Sequence, residues 1–238
     1  MRTVVIGDVH GRSIWLDILN HEHPDKVVFL GDYVSSKEII SGDKQAEILC
    51  SILELKRNNP EKIILLRGNH DLEAMPYRWA SCYPWAPMAV REKFNNEEFR
   101  NEFLELTQWV HVLQVGSKQA ICSHAGVSKE WLQLLGGDGQ FNEEFINSLP
   151  PSELFGFNDE DWSGVGNNPK QPCTWLRPLA LSTHFVDGYD QIVGHTQTAG
   201  GCVKINAGSG VDIFCCDALA NRGYLVINGD KYEPKILK

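Results

Sequence analysis

Long apolar runs are absent from this 238-residue sequence, and so is any excess of positive charge. No stretch approaches the roughly 18 apolar residues of a membrane-spanning helix. The N-terminal residues Met1-Arg2-Thr3 lead straight into a strand-like segment, without the features of a secretory signal. The formal net charge of −9 argues against nucleic-acid binding, which needs a cationic surface. We therefore expect a cytoplasmic protein that binds neither membrane nor nucleic acid.

Cysteines at metal-site or redox spacing are also lacking. The seven cysteines include no Cys-x-x-Cys pair, and their number is odd. This spacing argues against a thiolate zinc site and against a disulfide framework. Free cysteines in apolar surroundings behave as small hydrophobic side chains, so we expect all seven to be structural or incidental.

The first half of the chain alternates apolar strand-like segments with amphipathic helices. Strands are predicted at 3–6, 27–30 and 62–66, and a helix near 43–57 has apolar residues at helical spacing. Asp43 is its predicted cap. Near-continuous apolar strands that alternate with helices indicate a sheet covered on both faces. The predicted fold class is therefore α/β, in a single domain over residues 1–238.

The second half has a different pattern. Residues 76–109 are predicted to be helical, and two strands are expected within 110–123. The segment 128–190 is predicted to be a loop-rich insertion near the active site, because much of it is acidic and lacks the apolar periodicity of a core. The chain is expected to end in strands near 191–194, 202–206, 211–216 and 223–228. These strands predict a mixed sheet packed on the first.

Five short motifs place metal-ligand side chains where predicted strands end. They are Gly7-Asp8-Val9-His10-Gly11, Gly31-Asp32, Gly68-Asn69-His70-Asp71, Ser123-His124-Ala125-Gly126 and Gly194-His195-Thr196. Asp8 and His10 are two residues apart on an extended segment, so both side chains point to one side. Asp32 can bridge two metals about 3.5–4 Å apart, and Asn69, His124 and His195 would complete the second ion.

Such a ligand set predicts phosphoester hydrolysis with two divalent metal ions. The ions would lower the pKa of bound water until hydroxide is available near neutral pH. That hydroxide, bridging the metals, would attack phosphorus in line while the ions neutralise charge on the phosphoryl oxygens. His70 follows the predicted ligand Asn69 directly, and it is the candidate general acid for the leaving group.

As a set, the motifs resemble those of the calcineurin-like metallophosphoesterases. The similarity is closest to the bacterial and phage branch of the PPP serine/threonine protein phosphatases, and it covers residues 4 to about 217. The resemblance implies a sandwich of two mixed β-sheets flanked by helices, with two divalent ions, manganese first and iron or zinc as alternatives. It implies one metal on Asp8, His10 and Asp32, a second on Asp32, Asn69, His124 and His195, and His70 as the proton donor.

Two further segments bear on the substrate. Gly194-His195-Thr196 is followed by Gln197, where many broader phosphodiesterases of the superfamily have a second histidine, and this favours the PPP-like branch. Thr174-Trp175-Leu176-Arg177-Pro178 resembles the segment in which bacterial PPP enzymes carry a phosphate-binding arginine. Arg177, whose guanidinium can hold a phosphate through two parallel hydrogen bonds, and Asn69 are thus the candidate substrate-binding residues.

One motif departs from the family pattern. The family has Gly-Asp-x-Val-Asp-Arg-Gly, whereas this chain continues from Gly31-Asp32-Tyr33-Val34 into Ser35-Ser36. Ser35 replaces the aspartate that orients the catalytic histidine, and Ser36 replaces a phosphate-gripping arginine. Asp71 or Glu38 is a candidate substitute for the carboxylate, and Lys37 or Arg12 for the cation. The change calls into question efficient turnover of phosphoserine, which has a poor leaving group.

Three functions compete. The first is a metal-dependent phosphomonoesterase of the serine/threonine protein phosphatase type, acting on phosphorylated proteins or small phosphoesters. The second is a hydrolase of dinucleoside polyphosphates such as diadenosine tetraphosphate, with Trp162, Trp175 and Phe185 as candidates to stack on adenine, or a phosphodiesterase. The third is a non-catalytic binding scaffold, motivated by Ser35-Ser36. The sequence leaves the oligomeric state open.

Overall fold

Two five-stranded mixed sheets with helices around them make up the computed structural model of this protein, which describes residues 1–77, 86–136, 139–154 and 166–238. The strands are β1 (Arg2–Ile6), β2 (Lys26–Phe29), β3 (Ile63–Leu65), β4 (Val110–Val115), β5 (Lys118–Ser123), β6 (Tyr189–Gln197), β7 (Val203–Gly208), β8 (Val211–Asp217), β9 (Gly223–Asn228) and β10 (Lys231–Ile236). The helices are α1 (Ile14–Glu22), α2 (Gly42–Asn58), α3 (Asn69–Glu73), α4 (Met88–Asn95), α5 (Glu97–Leu106), α6 (Lys129–Leu134), α7 (Glu143–Ser148), α8 (Pro151–Leu154) and α9 (Pro178–Leu181).

The parallel strands of each sheet end on the side of the molecule where the sequence motifs lie. The first sheet has the order β10-β9-β1-β2-β3, with β1, β2 and β3 parallel. The second has the order β4-β5-β6-β8-β7, with β5, β6 and β8 parallel. Because parallel neighbours end at the same edge, the loops that follow β1, β2 and β3 are brought together, as are those that follow β5 and β6.

The strands of the first sheet are apolar on both faces because each face is covered. In β1, Val4 and Ile6 belong to the core cluster that contains Trp15 of α1. Val5, between them, belongs to the cluster with Ile192 and Phe214 of the second sheet. This alternation follows the two-residue period of a strand. The helices thus cover one face of the first sheet, and the second sheet covers the other.

The predicted α/β class and the two mixed sheets are confirmed. Two local features differ from the prediction. The cap of α2 is Ser41, whose hydroxyl accepts from the Lys44 N–H at 3.3 Å, so Asp43 lies in the first turn instead. No sequence pattern predicts β10, because Pro234 interrupts it; proline is tolerated there because β10 is an edge strand.

Several other expectations can be compared with the structure only over the residues that it describes. Two helices, α4 and α5, occupy the end of the predicted helical segment 76–109, of which residues 78–85 lie outside the described ranges. The six described cysteines are free, whereas Cys82 lies outside those ranges. Among the described helices, none combines the length and the apolar character needed to cross a bilayer. The single domain and the insertion at 128–190 stay predictions.

The contact between the sheets can be tested at Ile192, which is fully buried in the middle of β6. Ile192→Ala should lower the free energy of unfolding by about 2–5 kcal/mol, because it removes buried methyl groups and leaves a cavity. Urea unfolding followed by circular dichroism measures the change. Ile39→Ala, at an exposed isoleucine, is the matched control and should leave the midpoint unchanged. Equal effects of the two substitutions would contradict the assigned core.

Candidate metal centre

Four of the predicted ligands lie in loops at the ends of parallel strands, whereas Asn69 begins α3 and His195 lies in β6. Several have an uncommon backbone conformation. His10, Asp32 and His195 have φ angles of 47°, 50° and 61°, in the left-handed region where histidine and aspartate are tolerated better than most residues. At His195 the pairing of β6 with β8 shifts register. Strained backbone of this kind is found most often at functional sites. Here it turns the side chains away from their strands and toward one another.

Backbone hydrogen bonds tie these loops together. The His10 N–H donates to the Asp32 carbonyl at 2.7 Å, and the Gly194 N–H donates to the His124 carbonyl at 2.8 Å. The two sheets are joined through Asp8, whose carboxylate accepts from the His195 N–H at 3.0 Å. The site is therefore built by both sheets, although Asp8 and His195 are 187 residues apart in sequence.

The side chains form two groups that share Asp32. In the first, ligand atoms of Asp8, His10 and Asp32 lie within 4.8 Å of one another, and in the second the same holds for Asp32, His124 and His195. His10 Nε2 is 3.9 Å and His124 Nε2 is 3.4 Å from Asp32 Oδ2. The sixth predicted ligand, Asn69, has its Oδ1 3.0 Å from His124 Nε2. All six predicted metal ligands are thus brought together, with Asp32 at the centre.

The hydrogen bonds of His10 and His124 determine which ring nitrogen has a free lone pair for a metal ion. His10 Nδ1 lies 2.8 Å from the Val34 carbonyl, and His124 Nδ1 lies 2.8 Å from the Leu30 carbonyl. A carbonyl only accepts, so Nδ1 carries the proton and Nε2 keeps its lone pair. Both Nε2 atoms face the cluster. A backbone carbonyl on the far nitrogen is the usual support of a metal-bound histidine.

Burial keeps these imidazoles neutral. It lowers the pKa of His10 to about 4, despite the opposing attraction of Asp32. It also lowers the pKa of His124. The pKa of His195 is lowered well below the usual value, by burial first and then by His124 and Arg177. Neutral imidazole is the form that binds a metal, so the three rings are in the ligating state at neutral pH.

The cluster contains crowded carboxylates and acceptor atoms without donors, which are the groups that divalent cations bind. Burial, Asp217 and Asp32 together raise the pKa of Asp8 well above its usual range, because carboxylates crowd one another there. His195 Nε2 is buried and has no hydrogen-bond partner among the described residues. His124 Nε2 and Asn69 Oδ1, both acceptors, face each other. A cation in each group would relieve all three conditions, so the residues fit two divalent ions that share Asp32.

Two glycines in the motifs leave room for the carboxylates. A Cβ on Gly68 would lie 2.0 Å from Asp32 Oδ1, and a Cβ on Gly194 would lie 2.2 Å from Asp8 Oδ1. Both distances are far below contact distance, and both carboxylates are nearly fully buried. Glycine is therefore required before the metal-ligand residue in these two motifs because a ligand occupies the space of its side chain.

The comparison with known proteins agrees with this geometry. The sequence profile of the calcineurin-like phosphoesterase family matches residues 1–201, which include all five motifs. The chain belongs to this family.

The curated relatives of this calcineurin-like phosphoesterase include protein phosphatases. It is 28% identical to serine/threonine-protein phosphatase PP1-delta of Caenorhabditis elegans over 209 residues, which are 85% of this chain and 60% of the relative. It is 29% identical to a catalytic subunit of protein phosphatase 2A from Dictyostelium discoideum over 136 residues, 55% of this chain and 40% of the relative. The chain thus spans less than two thirds of the length of these relatives.

Solved structures share the fold. A cold-active protein tyrosine phosphatase superposes with a TM-score of 0.62 at 14% identity, covering 99% of this chain and 76% of that chain. A protein serine/threonine phosphatase from Saccharomyces cerevisiae, similar to human phosphatase PP5, superposes with a TM-score of 0.57 at 16% identity, covering 100% and 80%. At these identities the likeness concerns the fold alone.

Asp71 and Glu38, the carboxylates suggested as substitutes for an aspartate at position 35, both have other hydrogen-bond partners. Glu38 accepts from Arg12 Nε at 2.8 Å. Asp71 accepts from the backbone N–H groups of Asp32, Tyr33 and Gly68, each at 2.8 Å. Neither suggested carboxylate is therefore the one beside His70.

The carboxylate that does contact His70 is one that the sequence reasoning missed. Glu73 Oε2 lies 2.8 Å from His70 Nδ1. The two residues are three apart, which is a side-by-side spacing on a helix, and α3 begins at Asn69. The signal was present in the sequence, but it depends on knowing that a helix begins at this ligand.

The predicted phosphate-binding arginine lies beside the cluster. Arg177 Nη1 donates to the His195 carbonyl and to Thr196 Oγ1, both at 3.1 Å. Burial lowers the pKa of Arg177, opposed by the nearby carboxylates of Asp8, Asp217 and Asp32. A guanidinium remains charged at neutral pH. The sequence prediction thus placed a cation at the edge of the metal centre.

Metal titration of the metal-free protein tests this centre. The parent should bind two Mn²⁺ ions. His195→Ala should weaken the affinity for one of these ions at least about 100-fold, because even residues that only hydrogen-bond to a metal ligand contribute about 10–100-fold to metal affinity. Asp32→Asn should weaken both. Isothermal titration calorimetry with elemental analysis measures stoichiometry and affinity. His184→Ala, at a histidine paired with Glu130 outside the centre, is the control. Two intact sites in Asp32→Asn would refute the shared ligand.

Proposed function

We propose that this calcineurin-like phosphoesterase hydrolyses phosphate monoesters as a PPP-like serine/threonine protein phosphatase. In this proposal Asp8, His10 and Asp32 hold one divalent ion. Asp32, Asn69, His124 and His195 hold the other, and His70 is the general acid. Manganese is the first choice of metal, with iron or zinc as alternatives. When bound, the two ions would supply an activated water and neutralise charge on the phosphoryl oxygens.

The observation that carries the proposal is the difference between His70 and the other histidines of the site. The His70 ring lies 5.4 Å from the His10 ring, centroid to centroid, and its side chain is 19% exposed. Burial opposes its charge, but the carboxylates of Asp32 and Glu73 outweigh burial and raise the pKa of His70 to about 9. In the metal-free protein His70 is thus protonated at neutral pH beside imidazoles that are neutral.

A protonated imidazole at this place suits an ester with a poor leaving group. When the bond between phosphorus and the ester oxygen breaks, that oxygen becomes an alkoxide, which needs a proton. An acid poised beside the reacting group typically contributes a factor of about 10²–10⁴ to the rate. Phosphoserine and phosphothreonine esters depend on such an acid, whereas activated esters do not. The pairing of a charged His70 with neutral ligands therefore favours hydrolysis of esters with poor leaving groups, among which are the phosphate monoesters of serine and threonine.

Arg177 is proposed to bind the phosphate, together with Asn69. Its guanidinium is held beside His195 and carries a fixed charge, and a planar guanidinium can give two parallel hydrogen bonds to a phosphate. Arg12 is the proposed substitute for the arginine absent at Ser36. Its Nη1 lies 3.4 Å from the Asp8 carbonyl and 3.3 Å from the Val9 carbonyl, beside the first ligand loop, and Glu38 holds its Nε.

The alternatives have less support. Trp175, one candidate to stack on a nucleobase, packs its edge against the His195 ring at 5.5 Å, and Phe185 lies under the Lys129 ammonium at 5.9 Å. Both rings thus have contacts of their own, and Trp162 lies outside the described residues. A non-catalytic scaffold would have no need of six assembled ligands and a charged His70. Protein substrates and a cytoplasmic location remain proposals.

Substrate preference tests the function directly. The metal-loaded protein should hydrolyse p-nitrophenyl phosphate and a phosphoserine peptide. It should lose both activities in Asp32→Asn, whereas His70→Asn should lose chiefly the activity on the phosphoserine peptide, whose leaving group needs a proton. Bis-p-nitrophenyl phosphate and diadenosine tetraphosphate, assayed in parallel, are expected to be poor substrates. Preference for the dinucleotide would assign the alternative substrate class. No turnover of any of the four by protein with two bound Mn²⁺ ions would reject the enzyme and favour the scaffold.

Phosphate recognition can be tested at Arg177. Arg177→Ala should lower kcat/KM for phosphate monoesters by about 10–100-fold, because a hydrogen bond to a charged group is worth about 1.5–3 kcal/mol. Competition by inorganic phosphate should weaken in the same variant. Arg57→Ala, at an arginine that pairs with Glu102 on the helical surface, is the control. Unchanged inhibition by phosphate in Arg177→Ala would remove Arg177 from the proposed site.

A further inference from the structure

The replacement at position 35 leaves the candidate acid without the carboxylate that the motif would place there. Ser35 is buried, and its Oγ has no hydrogen-bond partner in the part of the chain that the structure describes. Its short side chain carries no charge. Any carboxylate that supports His70 must therefore come from elsewhere in the fold, and Asp71 and Glu38 are engaged with other groups.

Glu73 meets the geometric requirements for this support. Its side chain is 2% exposed, and its Oε2 lies 2.8 Å from His70 Nδ1. Within the described ranges neither of these two buried atoms has a partner in hydrogen-bond geometry. Their 2.8 Å approach is therefore a close polar contact without an aligned hydrogen bond. A carboxylate buried to this degree needs a partner, and the His70 ring is the polar group that it faces.

The element that carries Glu73 also holds the proposed acid in place. Asn69, His70 and Glu73 all lie on α3, and the His70 N–H donates to Asp32 Oδ1 at 2.9 Å. The backbone of His70 is thus fixed to the central metal ligand, while Glu73 fixes its ring through Nδ1. Because Nδ1 faces Glu73, the proton available to a substrate is the one on Nε2.

We propose that Glu73 is the positioning residue for His70, in the role that the motif otherwise gives to the aspartate at position 35. The inference rests on the proposed function of His70 as the general acid. In the step concerned, the bond between phosphorus and the ester oxygen breaks, and that oxygen takes the Nε2 proton of His70. Glu73 would act only through His70, by holding the orientation of the ring before the proton is given.

The test compares substrates that differ in their need for an acid. Phenyl phosphate and a phosphoserine peptide have poor leaving groups, whereas p-nitrophenyl phosphate has a good one. In Glu73→Gln, kcat for the first two should fall about 10–100-fold, within the range of general-acid effects, while KM changes little. The kcat for p-nitrophenyl phosphate should fall less than about threefold. Glu73→Asp, which keeps the charge but withdraws it by one methylene, should give an intermediate loss.

The ratio of kcat/KM between two substrates is the decisive number, because it does not depend on how much of the protein is folded. A changed ratio in Glu73→Gln, with both Mn²⁺ ions still bound, supports the inference. An unchanged ratio overturns it, whether activity is kept or lost uniformly. Glu130→Gln, at the other end of the His184 ion pair, is the matched control and should leave the ratio unchanged.

The outcome is separable from that of the proposed function. A parent protein that hydrolyses none of the three monoesters refutes the phosphatase and, with it, the inference. An active parent whose His70→Asn variant has lost activity on the phosphoserine peptide, but whose Glu73→Gln variant keeps the parental ratio, leaves the phosphatase standing and rejects Glu73 alone.

Discussion

The buried carboxylate of Asp71 is the interaction on which the rest of the site depends. It accepts from the N–H groups of Asp32, Tyr33 and Gly68 at 2.8 Å each, so it joins the loop after β2 to the loop after β3. A hydrogen bond contributes about 0.5–1.5 kcal/mol, so the three together are enough to offset the left-handed backbone of Asp32, a strain of about 1–3 kcal/mol. Asp32 can then serve both metal groups because its backbone has no freedom to turn away.

The histidines of the site are of two kinds, which differ in the group that Nδ1 faces. His10 and His124 each give Nδ1 to a backbone carbonyl, which leaves a neutral ring with Nε2 toward the cluster. His70 gives Nδ1 to a carboxylate instead, which favours its charged form. In the proposed roles, one type of side chain would provide both metal ligands and an acid within a few ångströms, and the group on the far nitrogen would decide which.

The sequence predicts those parts of the structure that depend on neighbouring residues. An apolar run followed by Gly-Asp or Gly-Asn-His identifies a strand and the predicted ligand at its end, and the six predicted ligands lie together in the structure. Features set by tertiary context are harder to predict. The pairing of Glu73 with His70 depends on where a five-residue helix begins, and β10 is hidden by Pro234, which only an edge strand accepts. Ser41 and Asp43 are both good caps, and only the backbone decides between them.

Moving the supporting carboxylate from a loop to α3 has a physical consequence for the site. An aspartate at position 35 would reach His70 from the loop after β2, so the orientation of the ring would depend on the position of one loop relative to another. Glu73 shares α3 with both Asn69 and His70, so ligand, acid and support move as one body. A fixed spacing of three residues on a helix replaces a contact between loops. The loop after β2 then no longer has to supply this carboxylate. Ser35-Ser36 can be accommodated there because Glu73 keeps a carboxylate beside His70.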